Sequence, residues 1–183
     1  MLPAIVLLCA AVQAQPADGP AAGRVTSVVL VRHAEKADDS SDPELSPGGR
    51  ERALALARAT ADLKLDAVIV TDTKRARDTG APAAKSRGIP LTVVPTAGGA
   101  AAHVKAVTDA VRGAAPGSAV LVVGHSNTLG PIIAALGGPE VVSLCEREFA
   151  PLYLLEVPEK GAPRLLRASY GNTDPPGSGD CHP

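Results

Sequence analysis

Aromatic side chains are almost missing from this 183-residue chain, which has one Phe, two Tyr and no Trp. A stacking platform for single-stranded nucleic acid is therefore not expected, and the core must be built from Val, Leu, Ile and Ala. Charge of one sign is missing too: 18 basic residues face 19 acidic ones for a formal net charge of −1. No global field points to nucleic acid or an anionic membrane. The longest apolar stretch, Leu2 to Val12, is too short to span a bilayer. Histidine is scarce, at 33, 103, 125 and 182, with no H-x-H or H-E-x-x-H spacing, so neither a metal nor a cofactor is expected.

The apolar stretch has the length of a secretory signal, with small residues in Val12–Gln13–Ala14 where a signal peptidase cuts. No Lys or Arg precedes it. Residues 1–14 are read as a signal peptide and 15–24 as a flexible segment. Residues 25–170 are read as a single domain and 171–183 as a tail rich in Gly, Pro and polar residues. This reading predicts an exported protein, periplasmic or secreted, with no stable membrane insertion after signal removal. Cleavage leaves Cys145 and Cys181. In an oxidising compartment they could form one disulfide tying the tail to the body; two free thiols are the other arrangement. Nothing in the sequence calls for an obligate second copy, and a monomer is expected.

From Val25 the pattern alternates between β-branched runs and Ala-rich stretches. "VTSVVLVR", "DAVIVTD", "PLTVVP" and "SAVLVVGH" read as strands buried on both faces. Between them lie a helix from Ser46 (N-cap) and Pro47 through Leu63, a helix over 74–88 broken near Pro82, and a helix over about 100–114. A fourth helix, "NTLGPIIAALGG", follows the last of these strands. Arg58 and Asp62 are placed four apart on the first helix. "FAPLYLLEVP" and "APRLLRASYG" then read as a hairpin joined by "EKG". The expected architecture is an α/β three-layer sandwich with a mostly parallel central sheet and an antiparallel edge.

In an open parallel sheet, ligands bind beyond the carboxyl ends of the strands. Arg32 and His33 follow the first strand, Lys74, Arg75 and Arg77 the second, and His125 the fourth. Taken singly, each histidine reads as structural and "KRAR" as a solvated helix face. Taken together, two imidazoles and two guanidiniums converge on one rim. Guanidinium forks match phosphate oxygens, and a neutral imidazole attacks phosphorus, so the set suits phosphoryl transfer.

These residues resemble the histidine phosphatase superfamily, the phosphoglycerate mutase-like proteins. "VRHAEK" is similar to that family's R-H-G-E signature, with Ala34 in place of glycine. "LSPGGRERA", "TDTKRARDTGAPAA" and "VLVVGHSNTL" resemble its following motifs, in the family's order, over residues about 25 to 137. The resemblance implies a phosphatase hydrolysing phosphoric monoesters without a metal, through a phosphohistidine on His33. Arg32 and Arg75 would clamp the phosphate and His125 would be the second pocket histidine, while Lys74 and Arg77 stay solvated. Asn127 and Thr128, near a helix N-terminus, are candidate substrate contacts, as is Glu35, which reads as a positioning group.

Many members carry a general acid just after the third strand. Here "PTAGGAAAHVKAV" has no carboxylate, so His103, Glu35, or Asp38, Asp42 and Glu44 of the loop after the first strand become the candidates, or the leaving group needs no proton. The chain is short, with little room for the inserted segments that enclose sugar phosphates, which favours hydrolysis in an open site over a phosphomutase. The expected partner is a small phosphorylated substrate or a phosphoprotein. Two other readings remain. One is a phospholigand-binding protein without turnover on the same fold. The other is a serine hydrolase using Ser126 in "GHSNT", which lacks the closing glycine and would need His182.

Overall fold

The computed structural model describes residues 23–179 and Cys181. The expected signal segment, most of the 15–24 linker and His182 lie outside the described residues.

The chain runs β1 (Val25–Arg32), α1 (Pro47–Ala59), β2 (Leu65–Thr71), α2 (Lys74–Lys85), β3 (Leu91–Val94), α3 (Gly99–Arg112), β4 (Ala119–Gly124), α4 (Leu129–Ala135), β5 (Pro151–Pro158) and β6 (Arg164–Ser169). Among the described residues the strands form one six-stranded sheet in the order β3-β2-β4-β1-β5-β6. The first four are parallel, and β5 and β6 close one edge antiparallel.

Strand periodicity divides the core in two. Val28 and Leu30 of β1, Ile69 of β2, and Val120 and Val122 of β4 face Val107 and Val111 of α3 and Ile132 and Ile133 of α4. Val29, Val31, Val68, Val70, Leu121 and Val123 point the other way, onto Leu56 of α1 and Ala76 and Ala83 of α2. Helices thus cover both faces, which is why these strands are continuously apolar rather than alternating. This is the three-layer α/β sandwich expected from the sequence.

Local boundaries depart from expectation in three places. α2 is not broken at Pro82: the helix continues to Lys85, and the Pro82 carbonyl accepts a hydrogen bond from the Ser86 amide at 3.1 Å. Proline removes its own donor and crowds the carbonyl four residues back, but burial of Ala76, Thr79, Gly80, Ala83 and Ala84 holds both halves on the sheet. α1 ends at Ala59 rather than Leu63, and the Thr60 hydroxyl that follows turns back to the Leu56 carbonyl at 2.9 Å. Asp62 therefore lies beyond the helix and does not form the pair with Arg58. α4 begins at Leu129, two residues late.

The start of α1 follows the sequence closely. Ser46 caps it, its hydroxyl accepting the Gly49 amide at 3.0 Å, and Pro47 opens the first turn. Gly49 is needed for a different reason. A Cβ there would lie 2.3 Å from the backbone oxygen of Glu35, so this glycine lets α1 dock against the loop leaving β1. Gly49→Ala is expected to cost about 1–3 kcal/mol by overpacking. It should appear in urea unfolding as a lowered midpoint at unchanged slope. A wild-type midpoint would show that the contact does not constrain the loop.

Candidate active site

β1 and β4 are neighbours, paired with Arg32 opposite Gly124, so the residues that follow them emerge side by side. The His33 amide donates to the Gly124 carbonyl at 2.9 Å. The rings of His33 and His125 meet edge-on, with centroids 5.3 Å apart. β2 ends beside them at Thr71, whose hydroxyl lies 3.1 Å from Nε2 of His125. The two histidines, drawn from distant sequence, share one rim because their strands are adjacent.

Nδ1 of His33 lies 2.8 Å from the carbonyl of Ala34. A carbonyl only accepts, so Nδ1 carries the proton and the lone pair resides on Nε2. Burial pushes the pKa of His33 down to about 3, and the Arg32 guanidinium, His125 and Arg75 add to the shift. His125 falls to about 4, again chiefly through burial, with Arg75 next. Both imidazoles are neutral near pH 7.

The segment that carries Ala34 is held from two sides. The Ala34 amide donates to the Thr79 hydroxyl at 2.9 Å, and that hydroxyl donates to the Arg75 carbonyl at 2.7 Å. Ala34 itself is fully buried against Leu45 and Ala53. Among the described residues no non-glycine position has a positive φ. An alanine in the signature's glycine position is therefore accommodated without backbone strain.

Arg32 is buried at the end of β1, its guanidinium 4.2 Å above the Phe149 ring. Desolvation lowers its pKa, with the Glu146 carboxylate opposing the change. Arg75 lies at the start of α2 with Nη1 3.8 Å from Asp42. In both arginines Nε is buried with no protein partner among the described residues. Leaving such a donor unpaired costs about 1–3 kcal/mol, which suits a site built to receive an anion. Lys74 and Arg77 are exposed, outside this set.

The remaining candidates divide. Glu35 turns toward α1, where its Oε1 accepts from Nε of Arg52 at 2.8 Å. Arg52 in turn donates to the Tyr170 carbonyl at 2.9 Å and pairs with Asp174 at 3.6 Å. His103 lies 6.4 Å from His125 between ring centroids, with Nδ1 3.0 Å from the Pro95 carbonyl. It is buried, and its Nε2 is enclosed without a partner. Thr128 is buried as well, its hydroxyl accepting the His125 amide at 3.0 Å. The amides of Thr128 and Leu129 both donate to the His125 carbonyl, at 3.0 and 3.3 Å. The Thr128 amide, expected to face an anion, is thus used within the turn. Asn127 is exposed at the rim.

Thr71, Thr79, Arg52 and Asp174 were not singled out as site residues from the sequence. Arg52 lies within "LSPGGRERA", and Thr71 and Thr79 within "TDTKRARDTGAPAA", whereas Asp174 lies in none of the quoted motifs. Among the described residues no cluster of three or more His, Cys, Asp or Glu could hold a metal ion, and no helix is long and apolar enough to cross a membrane.

The two depressed histidines make acid stability a readout of this packing. The unfolded chain takes up protons on them near pH 6.5, whereas the folded site does so only near pH 4 and 3. Stability is therefore full above pH 6.5 and falls as the pH drops toward 4, by up to about 1.4 kcal/mol per pH unit for each histidine. His33→Gln and His125→Gln should each flatten that slope in urea titrations at pH 6.5 to 4.5. A slope unchanged in both variants would contradict the burial of neutral imidazoles.

Residues 28–98 match the family model of the histidine phosphatase superfamily, branch 1. No curated protein matches the chain. Among solved structures it is similar to mycobacterial hydrolase 1, at 19% identity and TM-score 0.64, over 80% of this chain and 100% of that one. It is also similar to mycobacterial glucosyl-3-phosphoglycerate phosphatase, at 18% identity and TM-score 0.59, over 82% of this chain and 100% of that one. A third likeness is a phosphohistidine phosphatase, SixA, of Nakamurella multipartitia, at 22% identity and TM-score 0.58, over 82% of this chain and 99% of that one. At these identities the structural likenesses establish the fold, and the family match falls on the elements that carry Arg32, His33, Glu35 and Arg75. The chain has the fold of these solved structures, and its residues 28–98 are similar to the histidine phosphatase superfamily.

Proposed function

We propose that the protein is a metal-independent phosphatase that hydrolyses phosphoric monoesters or phosphoramidates through a phosphohistidine on His33. The observation that carries the reading is the proton of His33 fixed on Nδ1 by the Ala34 carbonyl, leaving Nε2 as a neutral nucleophile among cations. In the first step the Nε2 lone pair forms a bond to phosphorus, and the bond to the leaving group breaks with its electron pair. In the second, water attacks phosphorus, the N–P bond breaks, and phosphate departs while His33 returns to the neutral form. Arg32 and Arg75 hold the equatorial oxygens, and His125, steadied by Thr71, takes a fourth position around them.

The proposed mechanism uses neither Glu35 nor His103 as a proton donor. Oε1 of Glu35 is engaged by Arg52, and His103 is buried with its ring 6.4 Å from that of His125. The reading is therefore a site for leaving groups that depart without strong protonation, which includes phosphohistidine nitrogens and aryl oxygens. Among the structural neighbours are the protein histidine phosphatase SixA and a glucosyl-3-phosphoglycerate phosphatase, one named for a phosphoprotein and the other for a phosphorylated small molecule. Both a phosphoprotein and a small phosphate remain within the class. Export to the periplasm or beyond is part of the same proposal, resting on the apolar N-terminal pattern alone.

Turnover of an aryl phosphate should persist in excess chelator and fall at least about a thousandfold in His33→Ala. Alkyl phosphates should react at least about a hundredfold more slowly than aryl ones. Chelator-sensitive turnover, or near-wild-type activity in His33→Ala, would overturn the mechanism. Equal alkyl and aryl rates would show that a proton donor operates. Phosphate binding without turnover would favour the non-catalytic reading.

A further inference from the structure

Arg32 is held by a turn more than a hundred residues away. Its Nη1 donates to the carbonyls of Cys145 at 2.8 Å, Glu146 at 3.0 Å and Glu148 at 3.1 Å. Two protons meet three acceptors, so that edge of the guanidinium is saturated. With the Phe149 ring fixing the plane, the edge formed by Nε and Nη2 is left for an incoming anion. On that edge, among the described residues, Nε has no partner and Nη2 meets only the exposed Glu146 carboxylate at 3.3 Å.

The turn that supplies these carbonyls belongs to neither a helix nor a strand. Two of its hydrogen bonds are internal, from the Cys145 amide to Oε2 of Glu148 at 2.7 Å and from the Glu148 amide to the Cys145 carbonyl at 3.1 Å. Its covalent anchor is the Cys145–Cys181 disulfide, with Cα atoms 5.6 Å apart. Beside it, Asp174 accepts the amides of Phe149 and Ala150 at 3.0 and 3.1 Å. The C-terminal segment is thus strapped over the turn at the residue giving Arg32 its shortest contact.

We propose that the Cys145–Cys181 disulfide is a positioning element of the phosphoryl site, acting through the carbonyls of the 145–148 turn on the orientation of Arg32. The inference rests on the reading of Arg32 as a phosphate clamp. A cross-link that only restrains the unfolded chain would raise the melting temperature without touching the affinity of the folded protein. A positioning cross-link changes that affinity, and does so only while Arg32 is present.

A double-mutant cycle separates the two. Inorganic phosphate is titrated by calorimetry, well below the melting temperature, into wild type, Cys145→Ala/Cys181→Ala, Arg32→Ala and the combined variant. Loss of the disulfide should weaken phosphate binding about tenfold with Arg32 present and less than about twofold without it. Glu148→Ala loosens the same turn with the disulfide intact and should show the same dependence on Arg32. It carries the test if the cysteine variant does not fold. Equal loss in both backgrounds, or no loss in either, overturns the inference. Unchanged phosphate affinity in Arg32→Ala overturns the clamp reading beneath it.

Discussion

The hydrogen bond between Nδ1 of His33 and the carbonyl of the next residue is the constraint on which the site depends. Which ring nitrogen carries the proton decides whether the imidazole presents a lone pair or a donor to the rim. A carbonyl cannot give a proton back, so this contact removes one of the two tautomers. Burial and the neighbouring cations then remove the imidazolium. Much of the surrounding structure serves to hold that one carbonyl in place. Thr79 takes the Ala34 amide, Leu45 and Ala53 enclose its methyl group, and Gly49 brings α1 against the following residue.

Around His33, the site concentrates positive charge and leaves part of its donor capacity unspent. Among the described residues, Arg32 and Arg75 both keep a buried Nε–H without a protein partner, while Nη1 of Arg32 is filled by backbone carbonyls. Like charges brought together in a poorly hydrated place destabilise the free protein, and an anion relieves them. The fold withstands this because the strands beneath are packed on both faces. The cost falls on the rim, where stability depends on pH.

The fold was legible because its signals are local and periodic. β1 matches the predicted run residue for residue, and Ser46 and Pro47 mark the start of α1 as their chemistry requires. The convergence of Arg32, His33, Arg75 and His125 followed from a general property of parallel sheets, that functional groups gather at the carboxyl ends of the strands. What could not be read were contacts with no period. The pairing of Glu35 with Arg52 depends on which way a side chain turns. The use of the Thr128 amide within its own turn depends on a two-residue shift in where α4 begins. The hold of the 145–148 carbonyls on Arg32 joins residues separated by 113 positions or more through backbone atoms, which sequence does not distinguish.

The central claim is chemical and specific to one atom: His33 reacts through Nε2 because Nδ1 is spoken for. The most direct measurement is rapid quench into alkali during turnover of an aryl phosphate, followed by mass spectrometry and phosphorus NMR of the trapped protein. The account predicts an acid-labile, alkali-stable phosphoryl group on His33 bonded to Nε2, formed before phosphate is released. A phosphoryl group on Nδ1 or on another residue, or turnover with none formed at all, would contradict it.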